Sequence, residues 1–235
     1  MQGRQAKDSQ TAGERFAPLT GVAVPVLGLA GLIVLEGPAG RPEVDVRPEA
    51  FVTYFGKHDS VVLGSFLLML SVAFFLWFLG SLRAFLSDAE QGPGRLSSVA
   101  YGGGIVTAAL MLTLPAVSVL GAMDVDHLSP DAAKTMFILG DASLYPAAMA
   151  AAVLTIATGL VVLRAKALPG WFGWLSLVLG LWLLVPPLGS SAGTPENPAG
   201  WTALAALDAV PFWTAAVAIM LMRRAGSAAQ TSRAV

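Results

Sequence analysis

The sequence contains no cysteine. That excludes disulfides, thiolate metal sites, cysteine-ligated iron–sulfur clusters and cysteine nucleophiles together. Charge is scarce too: Asp, Glu, Lys and Arg make up 12% of the 235 residues, against about 25% in ordinary soluble domains. So few charges cannot cover a surface that faces water. The net charge of -1 leaves no broad basic face, so nucleic acid is not an expected partner. Only two histidines occur, His58 and His127. Neither these nor the acids of "DVDH" (Asp124–His127) show a recognised ligand spacing. No metal and no cofactor are expected, although whether the two histidines converge stays open. The G-x-S-x-G, H-E-x-x-H and P-loop patterns are also absent. "YGGGIV" (Tyr101–Val106) has no strand–turn–helix context for a phosphate loop, and reads as close helix packing.

What is present is apolar. Hydrophobic residues make up 55% of the chain, and the mean hydropathy is +0.69. A helix that crosses a bilayer needs about 20 apolar residues. Six stretches qualify: Phe16–Glu36, Val61–Leu82, Leu96–Met123, Thr135–Leu163, Gly170–Leu188 and Trp201–Met222. The first is too long for a signal-peptide core, and no cleavage site follows it cleanly. The basic residues then set the orientation. With the N-terminus inside, the inner segments carry ten: Arg4, Lys7, Arg15, Arg83, Arg95, Arg164, Lys166, Arg223, Arg224 and Arg233. The outer segments carry four: Arg41, Arg47, Lys57 and Lys134. Ten Arg against four Lys points to a GC-rich bacterial genome.

The fold class expected is therefore all-α: a polytopic bundle of six transmembrane helices in a bacterial cell membrane, both termini cytoplasmic. Residues 1–15 and 224–235 read as disordered cytoplasmic tails. Residues 16–223 form the transmembrane domain, with an outer loop over 37–60. The second half of that loop predicts a short interfacial helix from Pro48, with Phe51, Tyr54 and Phe55 on one face. A further helix start is written at Ser129 as N-cap, Pro130 at the first position and Asp131 in the first turn. "VLGS" (Val62–Ser65) and "ILGD" (Ile138–Asp141) each precede a Pro-Gly pair by the same spacing. This suggests duplicated hairpins, though short apolar words also match by chance.

Three acids stand out by depth. A helix rises about 1.5 Å per residue. Asp208 lies fifteen residues before Arg223, so it sits about 22 Å into a hydrocarbon core about 30 Å thick. Asp141 and Glu36 fall near the outer interface. An ionised carboxylate facing lipid is costly, so Asp208 is expected to face the bundle interior or a wet cavity. Prolines sit inside four of the spans: Pro25, Pro115, Pro146 and Pro211. Each tends to kink its helix and free a carbonyl. Tyr145 shares a helical face with Asp141, and Trp201 with Asp208. The expected site is an outward-facing pocket lined by Asp141, Tyr145, Trp201, Asp208 and Glu36, with Asp208 and Asp141 as its chemical candidates. Interhelical hydrogen bonding is the plainer role for either acid.

At "FLWFLGSLRAFL" (Phe75–Leu86), "GPGRLSSVAYGGGI" (Gly92–Ile105) and "ALPGWFGWLSLVLGL" (Ala167–Leu181), the chain resembles uncharacterised multi-spanning membrane proteins of actinobacteria. The resemblance covers about Val61 to Leu188 and implies a helical bundle, with no activity attached. Three functional readings follow. The first is an accessory subunit or a sensor, binding a lipophilic small molecule, a protein partner or a second copy within the lipid bilayer. The second is a small proton- or cation-coupled transporter using Asp208. The third is a membrane enzyme on an isoprenoid-like substrate, with Asp208 as general acid.

Overall fold

The computed structural model describes residues 19–37, 41–42, 46–185 and 198–231, with the side chains of the last stretch described over 205–224. Trp201 is helical, but its side chain lies outside the described residues, as do both expected tails apart from the last helix's inner end. The described residues are all helix and connecting turns, with no strand. In chain order the helices are α1 (Thr20–Glu36), α2 (Glu49–Phe55), α3 (His58–Glu90), α4 (Arg95–Met111) and α5 (Thr113–Met123). A 3-10 turn at Val125–His127 follows. Then come α6 (Pro130–Ala142), α7 (Leu144–Ala165), α8 (Gly170–Leu183) and α9 (Pro198–Thr231).

Four helical segments are long and apolar enough to cross a membrane: His58–Glu90, Arg95–Met123, Pro130–Ala165 and Ala205–Arg224. Two of these are helix pairs read as one. The breaks fall at Leu112 and Ser143, each three residues before a proline, Pro115 and Pro146. A proline cannot donate to the carbonyl four residues back, so the ladder is interrupted at that turn. Pro25 and Pro211 behave differently and sit inside continuous helices.

The other two expected spans are described only in part, because residues 16–18 and 186–188 lie outside the described residues. α1 has 17 residues and α8 has 14. Fourteen residues reach about 21 Å, short of a core about 30 Å thick.

The helices close into a ring. α3 packs on α1 and α4, α4 on α7, α7 on α8, and α9 completes the circuit between α8 and α1. With little hydrophobic drive between helices in lipid, close approach and polar ties hold such a bundle. Gly64 of α3 lies against the backbone of α1 at Leu35. Ser71 Oγ donates to the Val24 carbonyl at 2.9 Å, again tying α3 to α1. Trp213 Nε1 donates to Ser176 Oγ at 2.9 Å, tying α9 to α8. Between α3 and α4, Glu90 accepts from the Leu96 and Ser97 amides at 3.0 Å each. That carboxylate satisfies the free donors at the start of α4.

A second apolar cluster caps the end of the bundle that carries α2. Phe51, Tyr54 and Phe55 are all buried against Leu35, Leu114 and Phe137. α2 does start next to Pro48 as the sequence suggests. Its aromatic face, however, is covered by the protein's own helices rather than by a membrane surface. α6 starts as written, with Ser129 accepting from the Ala132 amide and Pro130 in the first turn. The two suggested hairpins both turn on a left-handed, non-glycine residue, Gln91 and Lys166. Their glycines differ in setting: Gly64 meets backbone, whereas Gly140 has ordinary contact with Leu114.

Candidate functional site

A cavity of about 320 Å³ lies between α1, α3, α4, α5 and α9. Three prolines from three different helices line it: Pro25, Pro115 and Pro211. Each leaves a carbonyl without its helical donor, at Gly21, Met111 and Leu207 respectively. The wall is mostly apolar, with Leu29, Leu68, Phe75 and Phe212 among its residues. Leu29 and Phe212 are 45% and 54% exposed. They are apolar and lie in the middle of α1 and α9.

Its polar groups are few and of one kind. Ser71, Thr107 and Thr214 line the cavity, but each spends its proton on a backbone carbonyl, Val24, Gly103 and Val210 respectively. Their oxygens keep only lone pairs to offer. Glu36 and Asp208 also line it. Among the described residues, neither carboxylate has a hydrogen-bond or ion-pair partner.

Among the described residues, the one cation on the wall is Arg41, from the segment between α1 and α2. Its guanidinium pairs with Asp141 at 2.5 Å and lies 4.7 Å from the Phe137 ring centre. Asp141 therefore sits outside the cavity and reaches it only through Arg41. That corrects its expected place as a pocket-lining acid: a loop cation a hundred residues away claims its charge. Tyr145 is not in the wall either and is 37% exposed. The helix break at Ser143 falls between the two, so the shared face expected of Asp141 and Tyr145 is interrupted. Arg41 had no local signal. It looked like one of four outer charges, and only the tertiary fold shows what it joins.

Beneath Arg41, the Tyr54 phenol is buried. Burial pushes its pKa above the ordinary value, and the Asp141 and Glu36 charges add to this, while the Arg41 charge opposes it. Although Arg41 is this close, the hydroxyl makes no hydrogen bond of normal geometry. An unsatisfied buried hydroxyl costs about 1–3 kcal/mol. Tyr54→Phe is therefore expected to hold or raise stability by about 1 kcal/mol at neutral pH. The sign with pH follows from the raised pKa. The folded state keeps the phenolic proton that the unfolded chain releases, so wild type loses stability as pH rises above about 10. Tyr54→Phe should lack that loss; thermal unfolding across pH 8 to 11 checks both, and a Tyr54→Phe protein less stable at neutral pH would refute the orphaned hydroxyl.

The histidines stay apart from this site. His58 is 3.4 Å from Asp59 and His127 is 3.3 Å from Asp124, all of them exposed. Among the described residues, no group of three or more His, Asp or Glu could hold a metal ion. Compared with known proteins, the chain matches no family model, no curated protein and no solved structure.

Proposed function

We propose that this is a six-span bacterial membrane protein, both termini cytoplasmic, that binds a lipophilic small molecule in the cavity between α1, α3 and α9, as a sensor or accessory subunit. The cavity is the observation that carries the reading. Its volume of about 320 Å³ lies at the low end of ordinary ligand pockets, about 300–1,000 Å³. Its wall is apolar with a few polar groups, the usual composition of such pockets. The ten-to-four bias of basic residues supports the orientation. α1 and α8 serve as short spans in this reading, which thin or tilted bilayer regions accommodate at modest cost.

A second reading has its own observation. Glu36 and Asp208 share one cavity, so proton- or cation-coupled transport is the alternative. Native mass spectrometry of the full chain, gently extracted from its host, tests the main reading. A discrete bound small molecule is the expected result. Only bare protein, or protein holding nothing but a second polypeptide, would count against it.

A further inference from the structure

We propose that the cavity's ligand is a lipophilic organic cation, an apolar molecule carrying an ammonium or similar positive group, with Glu36 and Asp208 as its counter-charges. The inference rests on the ligand-binding reading above.

The wall is one-sided in its chemistry. Among the described residues, every side-chain polar group on it other than Arg41 accepts: two carboxylates, and three hydroxyls whose protons are committed elsewhere. Pro115 and Pro211 add carbonyls without helical donors at two further wall residues, Met111 and Leu207. Arg41 offers positive charge, but Asp141 already engages it. An anion would meet two carboxylates and a guanidinium whose charge Asp141 already offsets, although its buried Nε keeps a hydrogen without a partner. A cation would find two carboxylates lacking a partner among the described residues.

Position strengthens this. Glu36 is the last residue of α1. The helix dipole is negative at that end, so a carboxylate there is misplaced unless a cation offsets it. Asp208 lies about 22 Å from Arg223 along α9, within the Ala205–Arg224 segment that is long and apolar enough to cross a membrane. Charged groups within such segments are expensive and mark ligand or ion paths. The rest of the wall says what kind of cation. Phe75 and Phe212 line the cavity, and aromatic faces attract positive groups. A hydrated inorganic ion gains nothing from a wall of Leu, Val and Phe. An apolar cation gains from both parts, and the exposed Leu29 and Phe212 give it an entrance from the lipid.

The test uses the full chain in non-ionic detergent and three probes of one shape. They are phenylbutyltrimethylammonium, its uncharged analogue with a tert-butyl head, and phenylbutylsulfonate. Equilibrium dialysis against detergent-only blanks measures binding. Wild type should bind the cation at least about tenfold more tightly than the neutral analogue, since an ion pair at partly shielded depth is worth more than that ratio. The sulfonate should bind weakest. Asp208→Asn and Glu36→Gln should each weaken cation binding about tenfold and leave the neutral probe unchanged, which also shows that the variant is folded. If a variant loses both probes it has lost its fold, and the three-probe comparison in wild type decides alone. Equal binding of cation and neutral analogue overturns the cation inference but leaves a lipophilic cavity. Competition by sodium at millimolar concentration also overturns it, because the acids would then serve an inorganic ion. No binding of any probe overturns the cavity reading itself.

Discussion

Gly64→Ala is expected to destabilise the protein by about 3 kcal/mol, at the upper end of what overpacking usually costs. A Cβ at Gly64 would stand 2.6 Å from the Leu35 amide nitrogen, 2.8 Å from its Cα and 2.9 Å from the Gly31 carbonyl oxygen. These are backbone atoms, so no side chain can swing aside. α1 must instead move off α3. That movement strains the Ser71–Val24 hydrogen bond and shifts the α1 wall of the cavity, including Val24 and Glu36. Loss of stability and loss of ligand binding should therefore appear together. Gly80→Ala is the matched control on the same helix, because a Cβ there meets nothing within 4 Å. It should be neutral, or stabilising by up to about 1 kcal/mol through helix propensity. Unfolding by graded SDS in mixed micelles reads both variants. A Gly64→Ala protein as stable as Gly80→Ala would mean that the helices are not packed this closely.

Much of this arrangement is local, and local features are legible. The cap at Ser129–Pro130 is a matter of three neighbouring residues, and it forms as written. The helix from Pro48 with Phe51, Tyr54 and Phe55 on one side is a matter of seven. In "YGGGIV", Gly103 and Gly104 do sit in close helix contacts, at Ala150 and Leu79. The depth argument for Asp208 needed only the helical rise, and Asp208 does line a cavity. What failed was anything that depended on a distant partner. Nothing near Arg41 announces Asp141, and nothing near Asp141 announces that its charge is taken. Four prolines were equal in the sequence. Three line the cavity, while Pro146 lies outside its wall, because only the packing of α1, α5 and α9 decides which kinks face one another.

Phe137→Ala should release the cap formed by α2. Phe137 is 5% exposed and its ring centre lies 5.0 Å from Phe51 and 5.5 Å from Tyr54. Truncating a buried Phe costs about 3–5 kcal/mol. Here the loss falls on a small unit. α2 has seven residues, far fewer than the 12–15 or so at which an isolated helix becomes even marginal. Its helicity therefore depends on this aromatic contact. The Phe137 ring also carries the Arg41 guanidinium, a contact worth about 0.5–2 kcal/mol. The remaining Arg41–Asp141 pair is partly exposed, at 22% and 34% of the two side chains. Such a pair contributes at most about 1 kcal/mol and cannot hold the loop by itself. Chymotrypsin should then cut after Phe51, Tyr54 or Phe55, which the native fold buries, while the core helices stay resistant. Phe137→Leu separates the two causes. It keeps most of the apolar volume and so should keep α2 protected, but it removes the aromatic face beneath Arg41. If cleavage of α2 stays slow in Phe137→Ala, the cap is held by something other than this ring. If instead it opens in both variants, the cation's seat on the ring, rather than the ring's bulk, is what closes this end of the bundle.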